Sequence, residues 1–241
     1  VGGFILLSYV LWSAYRDVWA EAGQFASSQS SLLEARFDST LRRRDATLDE
    51  LAERLPREAL VHGAAPLYRA EIEKDLERQQ RVFPEVAGFR VVDAAGQVLY
   101  LSGGGEYVSL ADRSYFLALK NDGGKALQFS EVVTSRITGR PTIAAARAVR
   151  TSDGRFLGVV SAAIELGYFE QLFDAVRLGH SGVLAIRRSD LHTLVVRRPA
   201  APAEINRPLE PKHPVYQRIA AGERSGVLEF AAQSDGVTRL Y

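Results

Sequence analysis

Between Val18 and Leu55 the apolar residues recur at helical intervals. Val18, Ala22, Phe25 and Leu32 are spaced 4, 3 and 7; Phe37, Leu41, Leu48, Leu51 and Leu55 are spaced 4, 7, 3 and 4. With no proline and only Gly23 in the run, this pattern predicts one long helix with a single apolar stripe, stopped by Pro56. Residues 66–83 predict a second helix ending before Pro84. The period then shortens from that of a helix to that of a strand. "GFRVVDAAGQVLYLS" reads as two short strands around a turn at Asp93 to Gly96. "SLADRSYFLALKN" reads as a short helix, with Ser109 and Asp112 in a capping pattern. "ALQFSEVVTS" and "RPTIAAARAVR" read as strands joined around Thr138-Gly139, and "TSDGRFLGVVSAAIEL" as a turn at Asp153-Gly154 followed by a further strand.

The order then begins again. "SGVLAIRRSDLHTLVVRRP" repeats the first hairpin with a turn at Ser189-Asp190, "HPVYQRIAAGE" supplies a helix, and "SGVLEFAAQ" and "GVTRLY" supply strands split by Asp235-Gly236. "AAGERSGVLEF" echoes "LKNDGGKALQF", and an amphipathic helix at 168–179 joins the two copies. Five of the nine prolines fall between Pro199 and Pro214, which predicts a stiffened loop inside the second copy. The fold class is therefore α+β: a long helix beside two PAS-like modules with antiparallel sheets. The expected divisions are 1–15, the end of a transmembrane helix; 16–60, a stalk helix; 61–167, a first PAS-like module; 168–179, a connecting helix; and 180–241, a second PAS-like module cut short.

The membrane expectation comes from "VGGFILLSYVLW", twelve uncharged residues followed by Trp12, Tyr15 and Trp19 around Arg16. Twelve residues are too few to span a bilayer, but aromatics beside the first charges mark a helix leaving one. A buried N-terminal helix and a signal-peptide remnant are the alternatives. Composition removes several function classes. Thirty Lys+Arg against 29 Asp+Glu give a net charge of +1, so no nucleic-acid partner is called for. The absence of cysteine excludes disulfides, a thiol nucleophile and Cys-ligated metal. Arg42-Arg43-Arg44 sits among acids at helical spacing and reads as a solvated, salt-bridged face.

The series "LADRSYF" and "SEVVTSRITGRPTIAAARAVRTSDGRFLGVVSAAIEL", with the long helix before it, resembles the double Cache (PDC-type) extracytoplasmic sensor domains of bacterial membrane receptors over residues 16 to 241. The resemblance implies a sensor in the cell membrane, this part periplasmic, held by flanking transmembrane helices and working as a homodimer. It further implies that module 61–167 is membrane-distal and module 180–241 membrane-proximal, with a small-molecule ligand in the distal one, no cofactor, and a cytoplasmic output, with diguanylate cyclases foremost and histidine kinases and chemoreceptors next.

Arg113, Tyr115 and Phe116 match the family's Arg-x-aromatic-aromatic segment. A guanidinium at the mouth of an apolar cavity holds a carboxylate bidentately, and flanking rings supply flat walls. The competing possibility is an Arg113 ion pair with Asp112 or Glu106 at the surface and Phe116 in the core. Arg147 is the second candidate. It shares a face with Ile143, Ala145 and Val149, and if that face points inward Arg147 needs an acid or an anionic ligand; if outward, it is merely solvated. Ser130, Thr134 and Thr142 offer hydroxyls. Amino-acid-binding members carry an acid on the last strand, where this chain has Ala162 and Ala163, with Glu165 nearest. The implied ligand is accordingly a small anion of the carboxylate type. Catalysis has no support: His62, His180, His192 and His213 lack metal spacing, and no serine elbow or P-loop is present. A ligand-free dimerisation module is the alternative from another class.

Overall fold

A computed structural model describes residues 2–121, 127–176, 182–188, 193–232 and 236–241, without the side chains of residues 2–7. The turn expected at Ser189-Asp190, His180, His192 and the end of the 168–179 helix lie outside the described residues. The architecture is the expected α+β one. α1 (Gly2–Arg54) is followed by short 3-10 turns and by α2 (Ala65–Val82). The strands β1 (Val86–Asp93), β2 (Val98–Leu101), β3 (Gln128–Phe129), β4 (Val133–Thr134), β5 (Pro141–Arg150) and β6 (Phe156–Glu165) form one antiparallel sheet in the order β2-β1-β6-β5-β3, with β4 also on β5. α3 (Ser114–Asn121) lies between β2 and β3 in the chain, and α4 (Leu166–Asp174) follows β6 directly.

Both faces of this sheet are covered. One packs on α1 and α2 through Leu48, Leu51, Ile72, Leu76, Phe89, Ile143 and Ile164. The other packs on α3 through Val92, Val159, Ala146, Ala148, Phe116 and Leu119. The α1 stripe is thus split: Leu48, Leu51 and Leu55 are core, whereas Val18, Phe25 and Leu32 are more than half exposed. Among the described residues no helix is long and apolar enough to cross a membrane. The solvated reading of Arg42-Arg43-Arg44 fails at its third member. Arg44 is 1% exposed and lies 2.9 Å from Glu85, beside the Tyr168 ring. It sits four residues before Leu48 and seven before Leu51, on the buried stripe.

The β1–β2 turn is built as its sequence demands. Asp93 Oδ1 accepts from the amides of Ala95 and Gln97, and Gly96 adopts φ 89°. A Cβ at Gly96 would lie 2.5 Å from Ala111, so glycine is required there both for conformation and for close approach. This approach corrects the capping pattern expected at Ser109. The Leu110 amide donates to Gly96 O at 2.7 Å and Ser109 bridges Gln97, so the chain is still extended there and α3 begins only at Ser114.

The second half holds β7 (Leu184–Arg187) with β8 (Leu194–Arg198), then α5 (Pro214–Ala220), then β9 (Glu229–Ala231) with β10 (Thr238–Leu240). The two hairpins form separate two-stranded sheets among the described residues. In the proline-rich loop, Asn206 clasps Val132 of the first half twice, accepting from its amide at 2.9 Å and donating to its carbonyl at 2.7 Å.

Candidate functional site

Where α3 packs on the sheet, the strands present a floor of small residues. The register sets Arg90, Ser161 and Ala146 side by side on β1, β6 and β5, with Gly88, Ala163 and Ala144 in the next row. Cross-strand partners project from one side, so both rows face α3. Tyr115 and Phe116 come down onto them from α3, 6% and 1% exposed. Phe116 is taken up in packing, edge-on to Phe156 at 5.7 Å. Tyr115 differs, since its phenol meets Ser161 and the field of three arginines, Arg90, Arg113 and Arg136. Burial nonetheless keeps its pKa above the ordinary value for tyrosine.

Arg90 is the residue that sequence reasoning missed. It is 7% exposed, and among the described residues no carboxylate comes within 4 Å. Its one weak bond is from Nη1 to Gly88 O at 3.5 Å. Burial drives its pKa down, and only the Tyr115 phenol opposes this. A buried cation without a counter-charge is costly unless an anion joins it.

The edge of this interface is framed by two loops. Arg136 grips Asp112 through two bonds of 2.7 Å and also donates to Ser109 O. That bond holds the Asp112 carboxyl down at about 2. Neither Asp112 nor Glu106 is paired with Arg113, which is half-buried and donates to Thr134 O at 3.0 Å. Gly105 approaches so closely that a Cβ there would meet Ile137 Cγ2 at 2.6 Å.

The other candidates fall elsewhere. Arg147 lies on the opposite face of β5, against α1, where it binds Asp45 at 2.7 Å and Asp49 at 2.9 Å. It therefore fastens the long helix to the sheet and does not share the space occupied by Tyr115. Ser130 and Thr142 are buried with their hydroxyls committed, Ser130 donating to Glu131 O at 2.6 Å and accepting from the Ala144 amide, Thr142 donating to Arg140 O at 3.0 Å. Glu165, the nearest acid on the last strand, is paired with Arg140 at 3.0 Å. The α3-facing floor thus carries a free cation and no free carboxylate among the described residues.

A family profile described as Cache domain (dCache_1) matches residues 13–233. No curated protein matches the chain. Among solved structures, the extracellular domain of a histidine kinase, rpHK1S-Z16, aligns with TM-score 0.67 at 23% identity over 84% of this chain and 80% of that one. The ligand-binding domain of the Pseudomonas fluorescens chemoreceptor CtaA, in complex with L-serine, aligns with TM-score 0.61 at 14% identity over 91% and 88%. That of the Campylobacter jejuni chemoreceptor Tlp3, in complex with L-norvaline, aligns with TM-score 0.63 at 14% identity over 95% and 86%. These likenesses are of fold.

Proposed function

The chain belongs to the Cache-domain family, and from that premise we propose that it is the extracytoplasmic ligand-binding part of a bacterial membrane receptor and not an enzyme. Its ligand is a small carboxylate held between α3 and the sheet. One observation carries this: Arg90 is buried beside Tyr115 above a floor of small residues, with no carboxylate within 4 Å among the described residues. Arg113 supplies a second cation at the edge. CtaA and Tlp3 were crystallised with amino acids, whose ammonium group needs an acid. Here Ala163 faces α3 and Glu165 is engaged by Arg140, so the carboxylate is bound and an ammonium is not.

Amino acids and their 2-hydroxy analogues test this directly, since alanine and lactate, or valine and 2-hydroxyisovalerate, differ only in that group. Titration calorimetry should show the hydroxy acid binding at least about tenfold tighter than its amino partner, with Arg113→Ala weakening it by about tenfold or more. Tighter binding of the amino acids would overturn the choice of ligand. No binding by either series, with signalling unaltered in Arg113→Ala, would favour the ligand-free scaffold.

Transmission has a physical route. Residues 131–134 are held on the ligand side by Ser114, which donates to Glu131, and by Arg113 on Thr134 O. On the far side Asn206 clasps Val132. A ligand that pulls on Arg113 biases this segment and, through it, the second half; only a difference in affinity between two arrangements does so. The receptor is taken to be a homodimer. Leu11, Val18, Phe25 and Leu32 repeat every seven residues and are each more than half exposed, the spacing of a coiled-coil seam. Phe25→Glu should shift sedimentation toward the monomer; an unchanged profile would remove this seam from the dimer. The output domain in this proposal is a diguanylate cyclase, with a histidine kinase or a chemoreceptor as the other forms.

A further inference from the structure

Arg113 is preceded in the chain by an acid, Asp112, yet the two are not paired. Asp112 belongs to Arg136 instead. Nη1 and Nη2 of Arg136 each donate to one Asp112 oxygen at 2.7 Å, and Nη1 also donates to Ser109 O at 2.6 Å. A planar fork that meets both carboxylate oxygens at once is a stronger partner than a cation offering one bond. The fork is also presented ready-made. In the turn between β4 and β5, Ser135 Oγ accepts from the amides of Ile137 and Thr138, and the Gly139 amide donates to Ser135 O at 2.9 Å with Gly139 at φ 70°. Ile137, next to Arg136, packs against Gly105. The nearby acid Glu131 takes the Ser114 hydroxyl. Arg113 is left with a neutral partner, Thr134 O at 3.0 Å, and keeps its charge uncompensated among the described residues.

We propose that Arg136 is a positioning residue: by taking up Asp112 it keeps the Arg113 guanidinium open to a ligand carboxylate, which rests on the carboxylate reading of the α3 site. Asp112 is in effect an internal rival of the ligand, carrying the same group one residue from the cation that the ligand needs. The guanidiniums of Arg90, Arg113 and Arg136 all act on the Tyr115 phenol, so one carboxylate moving among them changes the charge a ligand meets. With Asp112 on Arg136, an arriving carboxylate finds both Arg90 and Arg113 uncompensated. Without Arg136, the next cation along the chain from Asp112 is Arg113, whose field already favours the ionised form of Asp112. A ligand would then have to displace Asp112 before reaching Arg113, and it would bind more weakly for that reason. Arg136 acts through Asp112 and does not itself touch the ligand.

Two variants and their combination separate this charge effect from a simple brace between the loops. Calorimetry on the intact chain with lactate and 2-hydroxyisovalerate should show Arg136→Leu binding about tenfold more weakly than the parent. Asp112→Ala breaks the same loop contact but should bind at least as tightly as the parent. Arg136→Leu combined with Asp112→Ala should recover to within about threefold. Asp112→Ala weakening binding as much as Arg136→Leu, or a double variant that does not recover, would overturn the proposal, because a brace or a direct contact from Arg136 to the ligand gives those results. Titration of the Asp112 carboxyl carbon resonance needs no ligand. The group, at about 2 in the parent, should stay below its ordinary 3.8 in Arg136→Leu and reach that value only when Arg113→Ala is added. A rise to the ordinary value in Arg136→Leu alone shows that Asp112 does not turn to Arg113 and overturns the proposal as well. If the parent binds neither hydroxy acid, the carboxylate reading of the α3 site fails, and the titration still decides where Asp112 goes. The Asp112 side chain is 65% and that of Arg136 39% exposed, so these variants leave the core untouched.

Discussion

Replacing Arg90 with leucine is expected to remove binding of the small carboxylate while making the empty domain more stable. The two effects share one cause. In the empty protein the guanidinium is 7% exposed, makes one long bond to Gly88 O, and has no carboxylate among the described residues. Exchanging a poorly compensated buried charge for an apolar side chain of similar volume is neutral or stabilising by about 1–4 kcal/mol. Gly88, Ala144 and Ala146 around it leave room for leucine without a clash. The bound state behaves oppositely. Removing one member of a desolvated charge pair costs about 2–5 kcal/mol, which is roughly 30-fold or more in affinity. Melting curves with and without ligand should therefore show a higher melting temperature for the empty variant and no ligand-induced rise. Arg90→Lys should bind weakly, because the ammonium keeps the charge but loses the planar fork. A destabilised Arg90→Leu protein that still binds with full affinity would place the ligand elsewhere.

That Arg90 escaped notice in the sequence while Arg113 did not has a structural reason. The Arg113 motif is local: a cation, two rings and a helix start within four residues. Elements fixed by such local chemistry were legible, as with the turn from Asp93 to Gly96, the helices bounded by Pro56 and Pro84, and the alternation along β5 and β6. Strand alternation tells which residues share a face but not which layer that face meets. β1 and β5 are buried on both sides, so neither face was marked by polarity. Arg147 was correctly placed with Ile143 and Ala145, yet that face belongs to α1, whose Asp45 and Asp49 are about a hundred residues away. Arg90 carried the same ambiguity, though a cation between Phe89 and Val91 in an otherwise apolar strand was the available signal. Ser109 was misread because the Gly96–Ala111 contact that keeps it extended is tertiary.

Arg44 and Glu85 offer the sharpest test of how α1 is fastened. Arg44 is 1% exposed and the Glu85 side chain 8% exposed, with 2.9 Å between them. The approach is one of charge and not of well-aligned hydrogen bonds, since neither Nε nor Nη2 of Arg44 finds a properly directed acceptor. Burial lowers the Arg44 pKa, and Glu85 is the main force restoring it. Removing Glu85 leaves that cation buried beside the Tyr168 ring, 5.9 Å away, with no carboxylate partner among the described residues. Glu85→Gln should therefore destabilise the domain by about 3–5 kcal/mol, lowering its melting temperature by on the order of 10 °C. The double variant Arg44→Met, Glu85→Leu should recover most of that loss, because an imperfect buried pair is replaceable by apolar packing. If Glu85→Gln melts within about 1 kcal/mol of the parent, Arg44 finds water or another acceptor and the pair is not a fastening. The position gives the result functional weight. Glu85 precedes β1, which carries Arg90; Tyr168 lies in the first turn of the helix that follows β6, which carries Ser161; and Asp45, next to Arg44, holds Arg147. One turn of α1 thus meets the three strands that floor the α3 site, β5 directly at Arg147 and β1 and β6 through Glu85 and Tyr168 just beyond their ends, so a shift of those strands on ligand binding is expected to reach the long helix at this turn.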